Sequence, residues 1–139
     1  MGKGTDKVVH IIEEQGGVVV ASENCSSLKP LSLTVEGHET DPLRILAASY
    51  LQLPCSCMTP NERRLTILSD LVSEFNVQGI VDLTWTGCHT YNVESAQVER
   101  YAEETLELPF LQIDTDYSSA DNGQLQTRLG AFLELVNEQ

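Results

Sequence analysis

The chain has 139 residues, 41% of them hydrophobic, and sets 8 Lys+Arg against 21 Asp+Glu for a formal net charge of −13 at pH 7. That size and apolar content suit one folded domain with its own core rather than a disordered segment. So few cations exclude a nucleic-acid binder that works by neutralising phosphates, and they disfavour attraction to an anionic membrane surface.

The first helix is expected from about Asp6 to Gln15, with Val8, Val9, Ile11 and Ile12 on its apolar side and Gly16-Gly17 as its stop. Val18-Val19-Val20-Ala21 is a short continuous apolar run, which reads as a buried parallel strand. A polar loop, Ser22 to Ser27, follows it. In Leu28–Thr40 the alternation of Leu31, Leu33 and Val35 suits an edge strand, while Pro30 and Gly37 favour the extended loop adopted here.

Asp41-Pro42 opens a second helix, an N-cap with proline at the first helical position. Leu43, Leu46, Ala47, Tyr50 and Leu51 fall on one face of it, and Pro54 ends it. Cys55-Ser56-Cys57-Met58 lies in the turn after it. Thr59-Pro60-Asn61-Glu62 has the form of a capping box and starts a third helix, whose buried side is expected to be Leu65, Leu68, Leu71, Val72 and Phe75. Gly79–Leu83 is a strand, Thr86–Tyr91 a loop, and Asn92 the cap of a fourth helix buried through Val98, Tyr101 and Ala102. Pro109–Ile113 is another strand, Asp114–Asn122 a polar loop, and Leu125, Leu129, Phe132, Leu133 and Val136 line a last helix.

Strands that alternate with helices imply right-handed crossovers and a parallel sheet. The expected architecture is a single α/β domain over residues 1–139. It has three layers, a short parallel sheet of three or four strands, and helices on both faces. Because the chain opens on a helix, the sheet reads as one strand short at its start. No apolar run approaches the ~18 residues of a membrane span, and the opening residues lack the form of a signal peptide. A cytoplasmic location is expected, where stable disulfides are not.

The four cysteines, Cys25, Cys55, Cys57 and Cys88, then have three readings: metal ligands, reactive thiols, or small buried apolar residues. Cys25 follows the first expected strand and Cys88 the second, at the carboxyl ends where open α/β sheets form their sites. Cys-x-Cys lacks the spacing of zinc pairs. His89 beside Cys88 could act as a base, although neighbours on a turn often point apart. Asp114, Asp116 and Asp121 read either as a cation site or as solvated loop carboxylates and caps. No glycine-rich phosphate loop follows a strand.

Several motifs in order carry a family resemblance. Cys88-His89-Thr90-Tyr91-Asn92-Val93-Glu94-Ser95 resembles the cysteine loop of the 2-hydroxyacyl-CoA dehydratase D-component and benzoyl-CoA reductase family. Asp114–Ser118, Gly123–Arg128 and Ala131-Phe132 resemble its C-terminal signature. Glu23-Asn24-Cys25, Asp41-Pro42 and Pro54–Asn61 are closest to its double-cubane cluster branch. Ser27 stands where that family usually has glycine, and Gly130 where it often has glutamate.

The resemblance implies the C-terminal, flavodoxin-like domain of an iron–sulfur dehydratase or reductase. Its cluster, 4Fe-4S or double-cubane, would be held by Cys88, Cys25 and Cys57, with Cys55 as a further candidate. It also implies an N-terminal domain or companion subunit and an ATP-dependent activator that feeds in low-potential electrons. The isolated domain would be catalytically incomplete. A homodimer or swapped element is expected to cover the sheet where its first strand is lacking. The alternative is a non-catalytic protein-interaction domain with inert thiols.

Overall fold

A computed structural model describes residues 6–24 and 41–138. The elements run α1 (Lys7–Glu14), α2 (Pro42–Tyr50), α3 (Glu62–Phe75), β1 (Ile80–Trp85), α4 (His89–Glu104), β2 (Phe110–Thr115) and α5 (Asn122–Asn137). β1 and β2 pair in parallel, with Ile80 opposite Phe110 and Trp85 opposite Thr115. Parallel pairing requires a crossover, and α4 is that crossover.

The two faces of the sheet follow from the period-two alternation of a strand. Val81 and Leu83 of β1 and Leu111 and Ile113 of β2 face a cluster built from Val8, Ile11 and Ile12 of α1 and Leu125 and Leu129 of α5. Ile80, Asp82 and Thr84 point the other way, toward the side on which α4 buries Ser95, Val98 and Ala102. Helices therefore cover both faces, and the chain is a small α/β domain with a short parallel sheet.

Among the described residues the sheet has two strands, not three or four. Val18–Ala21 forms no ladder, and Val18, Val19 and Val20 are 76%, 36% and 46% exposed. An apolar run becomes a strand only when a neighbour pairs with its backbone. The end of α1 follows expectation: Gly17 N–H reaches the Ile12 carbonyl at 3.0 Å and Gly16 N–H the Glu13 carbonyl at 3.1 Å. Gly16 takes the left-handed conformation (φ 88°) that this cap requires.

Three helices differ from expectation. The apolar face of α2 is not buried among the described residues: Leu43, Leu46, Tyr50 and Leu51 are all exposed, and Ser49 is the buried side chain. α3 begins one residue past Asn61, and the side chain it buries is Arg64. α4 begins at His89 with Cys88 as its N-cap, rather than at Asn92. Gly87 in the left-handed region (φ 89°) turns the chain sharply after β1, and Cys88 N–H closes that turn on the Trp85 carbonyl at 2.8 Å. Asn92 instead accepts a hydrogen bond from Gln112 Nε2 at 3.1 Å.

Gly130, inside α5, leaves room for a neighbour. A Cβ there would stand 2.8 Å from Gln15 Oε1, and Gln15 Nε2 donates to the Gln126 carbonyl at 3.0 Å. The side chain that ends α1 thus lies against α5. No described helix is long and apolar enough to cross a membrane.

The α1–α5 cluster is the main hydrophobic contact among the described residues, so a cavity in it should be costly. Leu129, fully buried, is expected to lose about 2–5 kcal/mol of stability on substitution by alanine. Leu135→Ala on the exposed side of the same helix should cost less than about 0.5 kcal/mol. Urea unfolding midpoints at equal slope would check the pair.

Candidate functional site

At the carboxyl ends of β1 and β2 the two loops are tied together. Thr86 N–H donates to the Thr115 carbonyl at 2.9 Å, and Thr86 Oγ1 donates to Asp114. Trp85 and Tyr117 stack with ring centroids 4.4 Å apart. Lys7 reaches in from α1, with Nζ 2.7 Å from both Asp121 Oδ1 and the Ser118 carbonyl, while Thr115 Oγ1 donates to Asp121 Oδ2. Asp116 Oδ1 accepts from Ser118 N–H at 2.7 Å. The loop aspartates are therefore braces of the β2–α5 turn.

The described cysteines, Cys55, Cys57 and Cys88, lie on the neighbouring surface. Cys88 caps α4, so its position is fixed by the β1 turn. Its sulfur is 3.8 Å from Thr90 Oγ1, and that hydroxyl accepts from Ser56 Oγ at 3.2 Å. Ser56 stands between Cys55 and Cys57, so one hydroxyl pair joins the two cysteine segments. Cys55, Cys57 and Cys88 form no disulfide, and none is fully buried. A hydrogen bond with Cys55 pushes the Cys57 thiol above its ordinary range, and the negative charge that Cys55 would acquire adds to this. Cys25 lies outside the described residues, as do Ser27 and the Leu28–Thr40 segment. The His89 ring is exposed, and no hydrogen bond links it to Cys88 among the described residues. An open cleft of about 590 Å³ borders these segments, lined by Ser56, Met58, Asn61, His89, Thr90 and Glu94 among others.

Beneath the two cysteine segments is a buried ionic group that the sequence reading missed. Arg64, 7% exposed, donates from Nη1 to Glu94 Oε2 at 2.6 Å and from Nε to Glu23 Oε2 at 3.2 Å. Its guanidinium sits 4.9 Å from the centroid of the Tyr91 ring. Asn61 Nδ2 completes the group, donating to Glu94 Oε1 at 2.7 Å and to the Cys55 carbonyl at 3.0 Å. Burial opposes the charge on Arg64. The attraction of Glu23, the hydrogen bond to Glu94 and the field of Asp82 outweigh it, so the guanidinium is held even more firmly protonated than usual. The partners are 30 and 41 residues away in sequence, beyond any local pattern. The scarcity of cations in so acidic a chain was the one available hint.

The Lys7 contact has a measurable consequence. The hydrogen bond from Lys7, then that from Thr115, holds the Asp121 carboxyl below the usual carboxylate range. A depressed carboxylate pKa stabilises the fold above the unfolded value of about 3.9, and the contribution fades as pH falls through the lower, folded value. Lys7→Met is expected to move the Asp121 titration upward, toward that unfolded value. An NMR titration of the side-chain carboxyl checks this, and an unmoved midpoint contradicts it.

Comparison with known proteins places these features in one family. Residues 1–136 match the family described as 2-hydroxyglutaryl-CoA dehydratase, D-component. The chain is 43% identical over 136 residues to a protein of Escherichia coli (strain K12) described as "Putative dehydratase subunit YjiM". That match takes in 98% of this chain and 35% of the relative, so the chain spans about a third of that protein's length. The ordered cysteine segments, the α/β scaffold that presents them and a match over nearly all its residues show that the chain belongs to the dehydratase D-component family.

Proposed function

We propose that this chain is a cluster-binding domain of an iron–sulfur dehydratase or reductase, with Cys88, Cys57 and Cys55 as thiolate ligands and Cys25 as a further one. The observation that carries the reading is the Ser56–Thr90–Cys88 contact, which brings the Cys55/Cys57 segment beside the N-cap of α4. Soft thiolates are the donor type that iron–sulfur clusters use. Among the described residues no three His, Cys, Asp or Glu side chains stand close enough to hold a single metal ion. A cluster spreads its thiolates over several irons, so its ligands stand farther apart than those of one ion, and the donor set fits on that basis. About four thiolates hold one cubane. The three described cysteines therefore leave a place for Cys25 or for a cysteine of a companion chain.

When bound, such a cluster supplies one-electron transfer at low potential. The chain's own residues have a positional role. The Gly87 turn fixes Cys88 at the start of α4, and Thr90 lies against its sulfur. Asn61 holds the Cys55 carbonyl. In this reading electrons come from an ATP-hydrolysing activator, and a companion domain or subunit supplies the remaining ligands and the substrate pocket. Exposed Leu43, Leu46, Tyr50 and Leu51 on α2 and the exposed Val18–Val20 run support an apolar contact with that companion or with a second copy. They equally favour the alternative, a non-catalytic interaction domain with inert thiols.

Anaerobic reconstitution of the full chain with ferrous iron and sulfide separates the two. The cluster reading expects retained iron and sulfide with thiolate-to-iron charge-transfer absorption, largely lost in Cys88→Ser. Iron no higher than in a chain with all four cysteines replaced by serine would overturn it. Light scattering is expected to give twice the monomer mass, returning to the monomer value when Leu43 and Leu51 are both replaced by lysine. Monomer mass for the unsubstituted chain at high concentration would sink the homodimer.

A further inference from the structure

Among the described residues no backbone hydrogen bond joins the cysteine segments; besides the Ser56–Thr90 hydroxyl pair, the side chains of one buried group connect them. Glu94 lies two turns into the helix that Cys88 caps, and Tyr91 lies one turn in. Asn61 precedes α3 and holds the Cys55 carbonyl. Arg64, one turn into α3, grips Glu94 and lies over Tyr91. Both oxygens of Glu94 are thereby used, one by Arg64 and one by Asn61. Glu23, the third partner, is two residues ahead of Cys25 in sequence.

We propose that Arg64 is a positioning residue that sets the separation between Cys88 and the Cys55/Cys57 segment. The physical basis is the planar, forked guanidinium, which fixes two carboxylates in direction as well as distance. A buried ion group adds little net stability over an apolar substitute, because desolvation of its charges offsets their attraction. Its contribution here is therefore geometric. It locks the N-terminus of α3 to the first turns of α4; Cys88 caps α4, and Cys57 lies four residues before Asn61, the N-cap of α3. The Ser56–Thr90 hydroxyl contact, between polar side chains at the surface, is too weak to hold that geometry alone.

This inference rests on the reading of Cys57 and Cys88 as members of one site, and the experiment tests the two separately. Dibromobimane bridges two nearby thiols and becomes fluorescent when both ends react, so, with Cys25→Ser and Cys55→Ser present in every chain compared to remove competing thiols, peptide mapping of the full chain gives the yield of the Cys57–Cys88 bridge. The otherwise unsubstituted chain is expected to form it. Its absence there would fail the shared-site reading itself. The variant Glu23→Gln/Arg64→Met/Glu94→Gln removes Arg64 together with the two carboxylates it bonds, so that neither of them is left as an unpaired charge. Circular dichroism should show it folded, with bridge yield reduced at least about tenfold, since small misplacements of reacting groups carry penalties of that order. Bridge yield equal to that of the otherwise unsubstituted chain, in the folded triple variant, would overturn the role of Arg64. Should the triple variant unfold, Arg64→Lys keeps the charge and loses the fork. A folded Arg64→Lys chain with undiminished yield overturns the proposal as well, and a reduced yield supports it.

Discussion

A guanidinium removed from water has to be surrounded by acceptors, and this requirement organises one side of the molecule. Arg64 finds its acceptors on Glu94 and Glu23, a π face on Tyr91 and a further negative field from Asp82. None of these comes from its own helix. The two bonded carboxylates draw different segments toward the start of α3: the first turns of α4 and the stretch that follows α1. Leaving any such buried charge without its partner costs several kcal/mol, so the segments cannot drift apart independently. The polar side chains under the cysteine surface thus constrain the chain as firmly as an apolar cluster would.

The apolar cluster lies elsewhere. Val8, Ile11, Ile12, Ile113, Leu125 and Leu129 pack on the face of the sheet that carries α1 and α5, whereas Asp82 and Thr84 belong to the opposite face. Stability from hydrophobic burial and placement of the thiols are therefore largely separate. The strand ends link them. β1 runs from the apolar cluster into the Gly87 turn and Cys88, and the hydrogen bond from Thr86 to the Thr115 carbonyl ties that turn to β2. A rigid two-strand ladder thereby fixes where α4 begins, and Cys88 with it.

Periodicity made α1, α3, α4 and α5 legible, since each repeats apolar residues at helical spacing. β1 and β2 were legible as short apolar runs between turn signals. Val18–Ala21 has the same local character and is not a strand, because pairing is a property of two segments and the local sequence describes one. Asn92 was a plausible cap by residue type. The actual cap, Cys88, follows from a glycine turn and a hydrogen bond back to Trp85, which are matters of backbone geometry. Asn61 shows the same limit: its amide serves the Cys55 carbonyl and Glu94, so a capping-box pattern concealed a tertiary role. The site was legible as residues in order, Cys55-Ser56-Cys57 and Cys88-His89-Thr90, but not as a spatial arrangement, which depends on Arg64 and partners far away in sequence.

The charge balance bears on what Arg64 can do. In a chain with 8 Lys+Arg and 21 Asp+Glu, an accessible arginine beside a cleft would ordinarily suggest a hold on an anionic substrate. Arg64 is not available for that. Two of its donors are committed to carboxylates, Tyr91 lies against the guanidinium plane, and only 7% of the residue is exposed. Its charge is more than balanced by Glu23, Glu94 and Asp82, so little positive field reaches the cleft. Lys7 is committed in the same way to Asp121 and the Ser118 carbonyl. Both cations are thus spent within the fold. Neither Arg64 nor Lys7 is thereby free to hold an anion near these thiols.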